Sequence, residues 1–116
     1  MAAVKIHTVN IKADMPAADQ AAPRVGMALA TGKRMGAAVV KIVHGYGSTG
    51  QGGRMRTAAR QDLQERKRKG AIRDFIPGED FSIFNEATLR AFALCPELRR
   101  DPDLDRQNNG VTVVIL

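Results

Sequence analysis

The stretch "AAVVKIVH", from Ala37 to His44, is a continuous apolar run bounded by glycines. Its length and β-branched content suit a strand. Its lack of alternation means that both faces must be covered. The residues just beyond it narrow the fold further. Gly45, Gly47, Gly50, Gly52 and Gly53 crowd a short loop, and the next helix carries Arg54 and Arg56 near its start. A buried strand thus feeds a glycine loop, and the loop feeds a helix N-terminus.

The rest of the chain fits around this unit. "VKIHTVNI" is β-branched and roughly alternating, which predicts a strand ending near Ile11. "KADMP" turns the chain. Ala21, Val25, Ala28 and Leu29 have helical spacing within a segment from about Ala17 to Gly36. Pro23 is compatible with that helix if it falls in the first turn. After the glycine loop, Met55, Ala59 and Leu63 predict the core face of a helix ending at Gly70. Arg56, Arg60, Gln64 and Lys67 repeat on another face. "AIRDFIP" predicts a third strand. "FNEATLRAFALCPEL" predicts a helix with Asn85 as N-cap. "RRDPDLDRQNNG" reads as a polar, solvated loop, and "VTVVIL" as a closing strand of either direction.

The order is therefore β-α-β-α-β-(α)-β. This is an α/β fold in which a sheet of about four strands is covered by helices. At 116 residues the chain is expected to form one domain over 1–116 with a core of its own.

Charge bounds the partner. The net charge is +6 and the isoelectric point about 10.1, a balance that attracts polyanions, nucleic acid before acidic lipid. Asp14 and Asp19 are the only carboxylates before Asp62, so the N-terminal half is the electropositive one. There is no Trp and a single Tyr, so stacking platforms for splayed bases are scarce. Cys95 is the only cysteine, which excludes an intramolecular disulfide and a multi-cysteine zinc site. In "FALCPEL" it reads as a small buried hydrophobe. No secretory signal and no membrane span is visible, so a soluble, cytoplasmic protein is expected.

The loop itself suits an anion. Glycines allow close backbone approach, and free amides at a helix start carry partial positive charge. Arg54 and Arg56 stand where phosphate clamps are wanted. Nucleotide motifs fit less well. Gly45 and Gly50 have Walker A spacing, but Gln51 and Gly52 replace the required Lys and Ser/Thr. Gly45, Gly47 and Gly50 satisfy GxGxxG, with Asp74 or Glu79 an approximate ribose-binding acid, so a dinucleotide or other small phosphate ligand stays an alternative. His44 lies at the carboxyl end of its strand, where open α/β sheets place ligands. It suits a general base, a phosphate contact or a structural role.

The residues His44-Gly45-Tyr46-Gly47, then Gly52-Gly53-Arg54, behind an apolar strand, resemble the HGxG motif of the small MutS-related (Smr) domain family. "NNGVTVVIL" is similar to that family's closing turn and strand, with Gly110, Thr112 and Leu116 in the matching places. The resemblance covers roughly residues 9 to 77 and 108 to 116. It implies a two-layer α/β sandwich like the C-terminal domain of bacterial translation initiation factor three. It implies nucleic-acid binding, and in several members endonuclease activity, by DNA nicking or RNA cleavage. The helix and loop at about 78–107 are then an insertion, able to dock a protein partner.

One departure matters. The family opens with a strand carrying L-D-L-H-G. Here Asn10 stands at the Asp position and Lys12 at the His position. An amide is no general base, and an ordinary lysine is protonated at pH 7. Lys12 still suits a phosphate. The expected nucleic-acid-binding residues are Lys12, His44, Gly45, Tyr46, Gly47, Gly50, Gly52, Gly53, Arg54, Arg56 and Arg60. In the nuclease reading His44 is the acid/base group and Lys12 and Arg54 stabilise developing charge. Binding requires no cofactor, whereas cleavage would call on Mg²⁺ or Mn²⁺. Asp101, Asp103 and Asp105 alternate as in a calcium loop, but Arg106 and Thr112 occupy positions that an EF-hand reserves for Gly and Glu. Glu79 and Asp80 are the leftover candidates for a metal pair, although an exposed turn explains them as well.

Overall fold

The computed structural model describes residues 5–14, 16–45 and 51–116. It is an α/β domain built on one four-stranded mixed sheet, in the order β1-β2-β4-β3. The strands are β1 (Ile6–Asn10), β2 (Val39–Val43), β3 (Asp74–Pro77) and β4 (Val111–Ile115). The helices are α1 (Ala21–Arg34), α2 (Gln51–Arg68) and α3 (Glu86–Leu94). Pro23 falls in the first turn of α1, where its missing N–H costs nothing.

β1 and β2 run parallel, joined by α1. β4 is antiparallel to both β2 and β3. This settles the direction of the closing strand. β2 and β3 therefore point the same way on either side of β4, and α2 makes the crossover between them. The carboxyl ends of β1, β2 and β3 share one edge of the sheet with the start of β4.

The two helix ends expected at glycines are built that way. Gly36 and Gly70 have φ of 74° and 78°. Gly36 N donates to the Lys33 carbonyl at 3.1 Å, and Ala71 N beyond Gly70 donates to the Arg66 carbonyl at 2.8 Å. These left-handed turns satisfy the last carbonyls and release the chain into β2 and β3.

Two apolar clusters lie on opposite faces of the sheet. Val40, Ile42 and Val114 pack with Val25 and Leu29 of α1 and with Met55, Ala59 and Leu63 of α2. This is the sheet-and-helix sandwich. Val39, Val113 and Ile115 face the other way, onto Phe81, Phe92, Cys95 and Leu98. The segment 78–107 therefore covers the second face of the sheet, which is why β2 shows no polar alternation.

Lys41 lies inside that apolar strand, is 6% exposed, and points to the second face. Its Nζ stands 2.8 Å from Asp101 Oδ1 and forms a second ion pair with Asp103. Burial pushes the Lys41 ammonium down, but its hydrogen bonds and charge contacts with the two carboxylates outweigh that and hold its pKa above the ordinary value. At Asp103 burial acts upward, and the hydrogen bonds from Lys41 and Asn108 outweigh it, so its carboxyl sits below the usual range. The "DPDLD" loop is thus corrected from a solvated loop to a clamp: Asp101 and Asp103 turn inward because a buried ammonium needs partners.

Asn85 caps α3, its side chain accepting from Thr88 N at 2.9 Å. In α3, Phe92 is core, whereas Leu89 and Ala93 are exposed. Gly78 begins the insertion where backbone meets backbone. A Cβ there would collide with the Asn108 carbonyl and Val111. No helix among the described residues is long and apolar enough to cross a membrane.

Candidate functional site

The edge where β1, β2 and β3 end holds most of the residues singled out in the sequence. Asn10 and Val43 are paired in register, and Ile11 N donates to the Val43 carbonyl at 2.9 Å. This brings the exposed Lys12 beside the end of β2. The Asn10 side chain is tied to its own turn. Its Oδ1 accepts from Lys12 N at 2.9 Å and shapes the turn.

His44 follows β2 and is fully buried. Its Nδ1 lies 2.9 Å from the Gly45 carbonyl, and its Nε2 lies 2.8 Å from Thr112 Oγ1. A carbonyl only accepts, so Nδ1 carries the proton. Nε2 of the neutral ring then accepts from the Thr112 hydroxyl, and that hydroxyl accepts from Arg60 Nε at 3.1 Å. Every proton in this chain of bonds is assigned by its neighbours. Burial is the main cause that pushes the His44 pKa down to about 4; the Gly45 hydrogen bond opposes it, and the charges of Arg60 and Arg56 add to it. His44 is neutral at pH 7 and has no nitrogen left for a phosphate or a water.

This geometry makes His44 a strut between Gly45 and Thr112. Gly45 has a φ of 82°, a left-handed conformation that a side chain would strain. His44 N and Gly45 N both donate to the Gly110 carbonyl, at 3.0 and 3.1 Å. Gly110 N in turn donates to Asn108 Oδ1, and Asn108 Nδ2 to Asp103 Oδ1, both at 2.9 Å. The buried Lys41 clamp is therefore wired to the loop start through Asp103, Asn108 and Gly110.

Arg60, expected on a phosphate, has partners within the protein. Its guanidinium forms a two-pronged pair with Glu79, at 2.9 Å from Nη1 and 2.7 Å from Nη2. Nη2 also donates to the carbonyls of Asn109 and Val111, at 3.4 and 3.3 Å. Arg60 ties α2 to the turn after β3 and to the start of β4. Glu79 is engaged for the same reason. Burial raises its pKa, and the Arg60 hydrogen bonds, then a backbone bond, then the charges of Arg60 and Arg56 outweigh this and bring it below the usual range. The pairing with Asp80 as a metal site gives way to this ion pair. Among the described residues no group of three or more His, Cys, Asp or Glu side chains could hold a metal ion.

The first turn of α2 contains no acidic residue. Gly53 is half-buried there, Arg54 is exposed, and Arg56 is half-buried within electrostatic reach of His44 and Glu79. Gly52 lies in the same turn. Tyr46, Gly47 and Gly50 lie outside the described residues. The structure thus brings Lys12, His44, Gly45, Arg54, Arg56 and Arg60 to one edge. It divides them into two kinds: His44 and Arg60 are bonded inward, whereas Lys12 and Arg54 are exposed.

Two functional partners are hard to see in the sequence. Thr112 enters there through the closing-strand resemblance and as a misfit in an EF-hand pattern, yet it is the hub between His44 and Arg60. Lys41 is hidden in an apolar run. A lone lysine among valines and isoleucines is itself a signal of a buried ion pair, and the dense acids of "DPDLD" are the natural partners to pair it with.

Comparison of the chain with protein-family models, with curated proteins and with solved structures finds no match.

Proposed function

We propose that the domain binds nucleic acid through the sugar-phosphate backbone at the edge formed by Lys12, Gly45 and the start of α2. One observation carries this reading. Exposed cations meet an acid-free helix N-terminus where parallel strands end, next to a glycine held in a left-handed turn. Lys12 and Arg54 are the phosphate contacts, with Arg56 beside them. Gly45 and the glycines that follow it in the sequence, Gly47, Gly50, Gly52 and Gly53, carry no side chain to hold a phosphate backbone away, and Tyr46 lies among them in the sequence. The net charge of +6 supplies the long-range attraction. Among the described residues no base-reading constellation stands at this edge, so recognition is by charge and shape, on DNA or RNA alike.

The resemblance to the Smr domain family supports the same surface, and the α/β sandwich it implies fits the four-stranded sheet with α1 and α2 on one face. The endonuclease reading rests on His44 as acid/base group. A buried neutral ring with both nitrogens engaged favours binding over cleavage. A dinucleotide reading keeps the GxGxxG spacing, but its candidate ribose-binding acids Asp74 and Glu79 are paired with Lys67 and Arg60.

The test is one gel with two readouts. The protein and a Lys12→Ala/Arg54→Ala variant are incubated with supercoiled plasmid and with a structured RNA, in Mg²⁺, Mn²⁺ or EDTA. Retarded but intact nucleic acid that is released by salt, and lost in the variant, is the expected result. Nicked plasmid or cut RNA would replace the binding reading with the nuclease one. Absence of both, with a thermal shift by a dinucleotide, would move the site to small ligands.

A further inference from the structure

A second surface adjoins the glycine-loop edge and shares Lys12 with it. β1 is an edge strand: among the described residues no strand pairs with its outer side. Its hydrogen-bond phase is fixed at both ends. Val39 N donates to the Lys5 carbonyl, and Ile11 N donates to the Val43 carbonyl. In a parallel ladder this turns the backbone groups of Lys5, His7, Val9 and Ile11 toward β2. The N–H and C=O groups of Ile6, Thr8 and Asn10 therefore point outward.

A groove of about 420 Å³ runs beside this edge, between β1 and α1. It is lined by His7, Val9 and Ile11 from the strand side and by Arg24, Met27 and Ala28 from the helix. Met27 is 72% exposed, a large apolar side chain left open on the rim. None of the lining residues carries a carboxylate. Lys5 and Lys12 flank the strand, and Arg24 crosses its end, where Nη1 donates to the carbonyls of Ile11 and Ala13 at 3.2 and 3.0 Å.

We infer that this edge and groove bind an extended peptide with an apolar centre and acidic ends, added to the sheet as a further strand beside β1. A backbone row that no described strand pairs with selects an extended backbone rather than a helix or a nucleic acid. The apolar floor takes alternate side chains. At one end of β1 Lys12 and Arg24 outnumber Asp14, and at the other Lys5 shares its charge with Glu97, so the acidic flank is selected chiefly at the Lys12 end. The same cations oppose pairing with a second copy, because an edge bearing Lys5 and Lys12 would meet its own like charges.

The probe is a capped, fluorescent peptide, Glu-Glu-Val-Thr-Val-Thr-Val-Glu-Glu, with a counterpart carrying lysine at every glutamate. Binding is read by anisotropy, and isotope-labelled protein is followed by amide exchange. The acidic peptide should bind about tenfold or more tighter than the lysine form, a gap of about 1.4 kcal/mol. The outward amides of Thr8 and Asn10 should become protected. Met27→Glu, at an exposed position, should weaken the peptide about tenfold. Thr8→Pro removes an outward N–H that the sheet does not use and should abolish binding. Neither variant should change retardation of plasmid or RNA. Equal affinity for both peptides, no binding, or protection confined to the Gly45 edge would overturn the inference. So would a wild-type dimer in sedimentation whose protection maps to β1.

Discussion

His44 Nε2 and Thr112 Oγ1 stand 2.8 Å apart, joining residues 68 positions distant in the chain. This bond fixes the start of the glycine loop against the closing strand. Burial of the same ring makes the fold sensitive to acid. The ring has a folded pKa of about 4 against an ordinary 6.5. Above 6.5 the ring is neutral folded or unfolded, and no penalty arises. As pH falls from 6.5 toward 4 the unfolded chain takes up a proton that the folded one refuses, so stability falls, by up to about 3 kcal/mol. Urea titrations of wild type and His44→Gln across this window should differ in slope, with the variant losing less. Parallel slopes would show that His44 is not the sensor.

His44→Ala should be costly at any pH. It strands the Thr112 hydroxyl and the Gly45 carbonyl and opens a cavity, for a loss of about 3 kcal/mol. A midpoint in urea close to wild type would contradict the bonding scheme.

The Lys41 clamp has its own signature. Lys41→Met leaves Asp101 and Asp103 facing each other without a cation and should cost about 3 kcal/mol. Adding Asp101→Asn and Asp103→Asn to it should restore much of the loss, since the like charges are then gone. If the triple variant is as unstable as the single one, the ion pairs are not what holds the segment 96–107 to the sheet.

Lys12 and Arg54 should behave as surface residues toward stability and as contacts toward nucleic acid. Each change to Ala should leave stability within about 0.5 kcal/mol. Each should lower the slope of log affinity against log salt by roughly one on duplex DNA. Arg60→Ala should do the reverse, losing stability through its bonds to Thr112 and Glu79, with a smaller change in salt slope. Exchange of these two patterns would mean that Arg60, not Lys12 or Arg54, meets the phosphate.

Cys95 should be inert in the folded protein. It is buried, and burial, with the Glu97 carboxylate beside it, pushes its thiol up to about 11. Alkylation by iodoacetamide at pH 8 should therefore track unfolding. Rapid alkylation in native buffer would place the thiol at the surface.

Local chemistry carried the elements that the sequence made legible. Gly36 and Gly70 end helices because only a residue without Cβ enters a left-handed turn without strain. Asn85 caps α3 because its short side chain reaches its own helix's amide. Met55, Ala59 and Leu63 share a face because the helix repeat puts them there, and all three are buried. The apolar run at β2 demanded cover on both faces, and it has it. Basic charge and the glycine loop likewise announce themselves within a few residues.

The tertiary structure decided what the polar groups do. Arg60 looks like a phosphate ligand in one dimension, since nothing nearby in the chain pairs with it. Only the crossover of α2 over the sheet brings Glu79 and Thr112 within bonding distance. Lys41 and Asp101 are 60 residues apart, and no periodicity connects them. His44 reads equally as base, ligand or strut until burial and two neighbours fix its proton. A hydrophobic side chain needs only to leave water, and spacing alone records which way it goes. A buried polar group needs particular partners at particular angles, and those come from distant strands that only the folded sheet aligns.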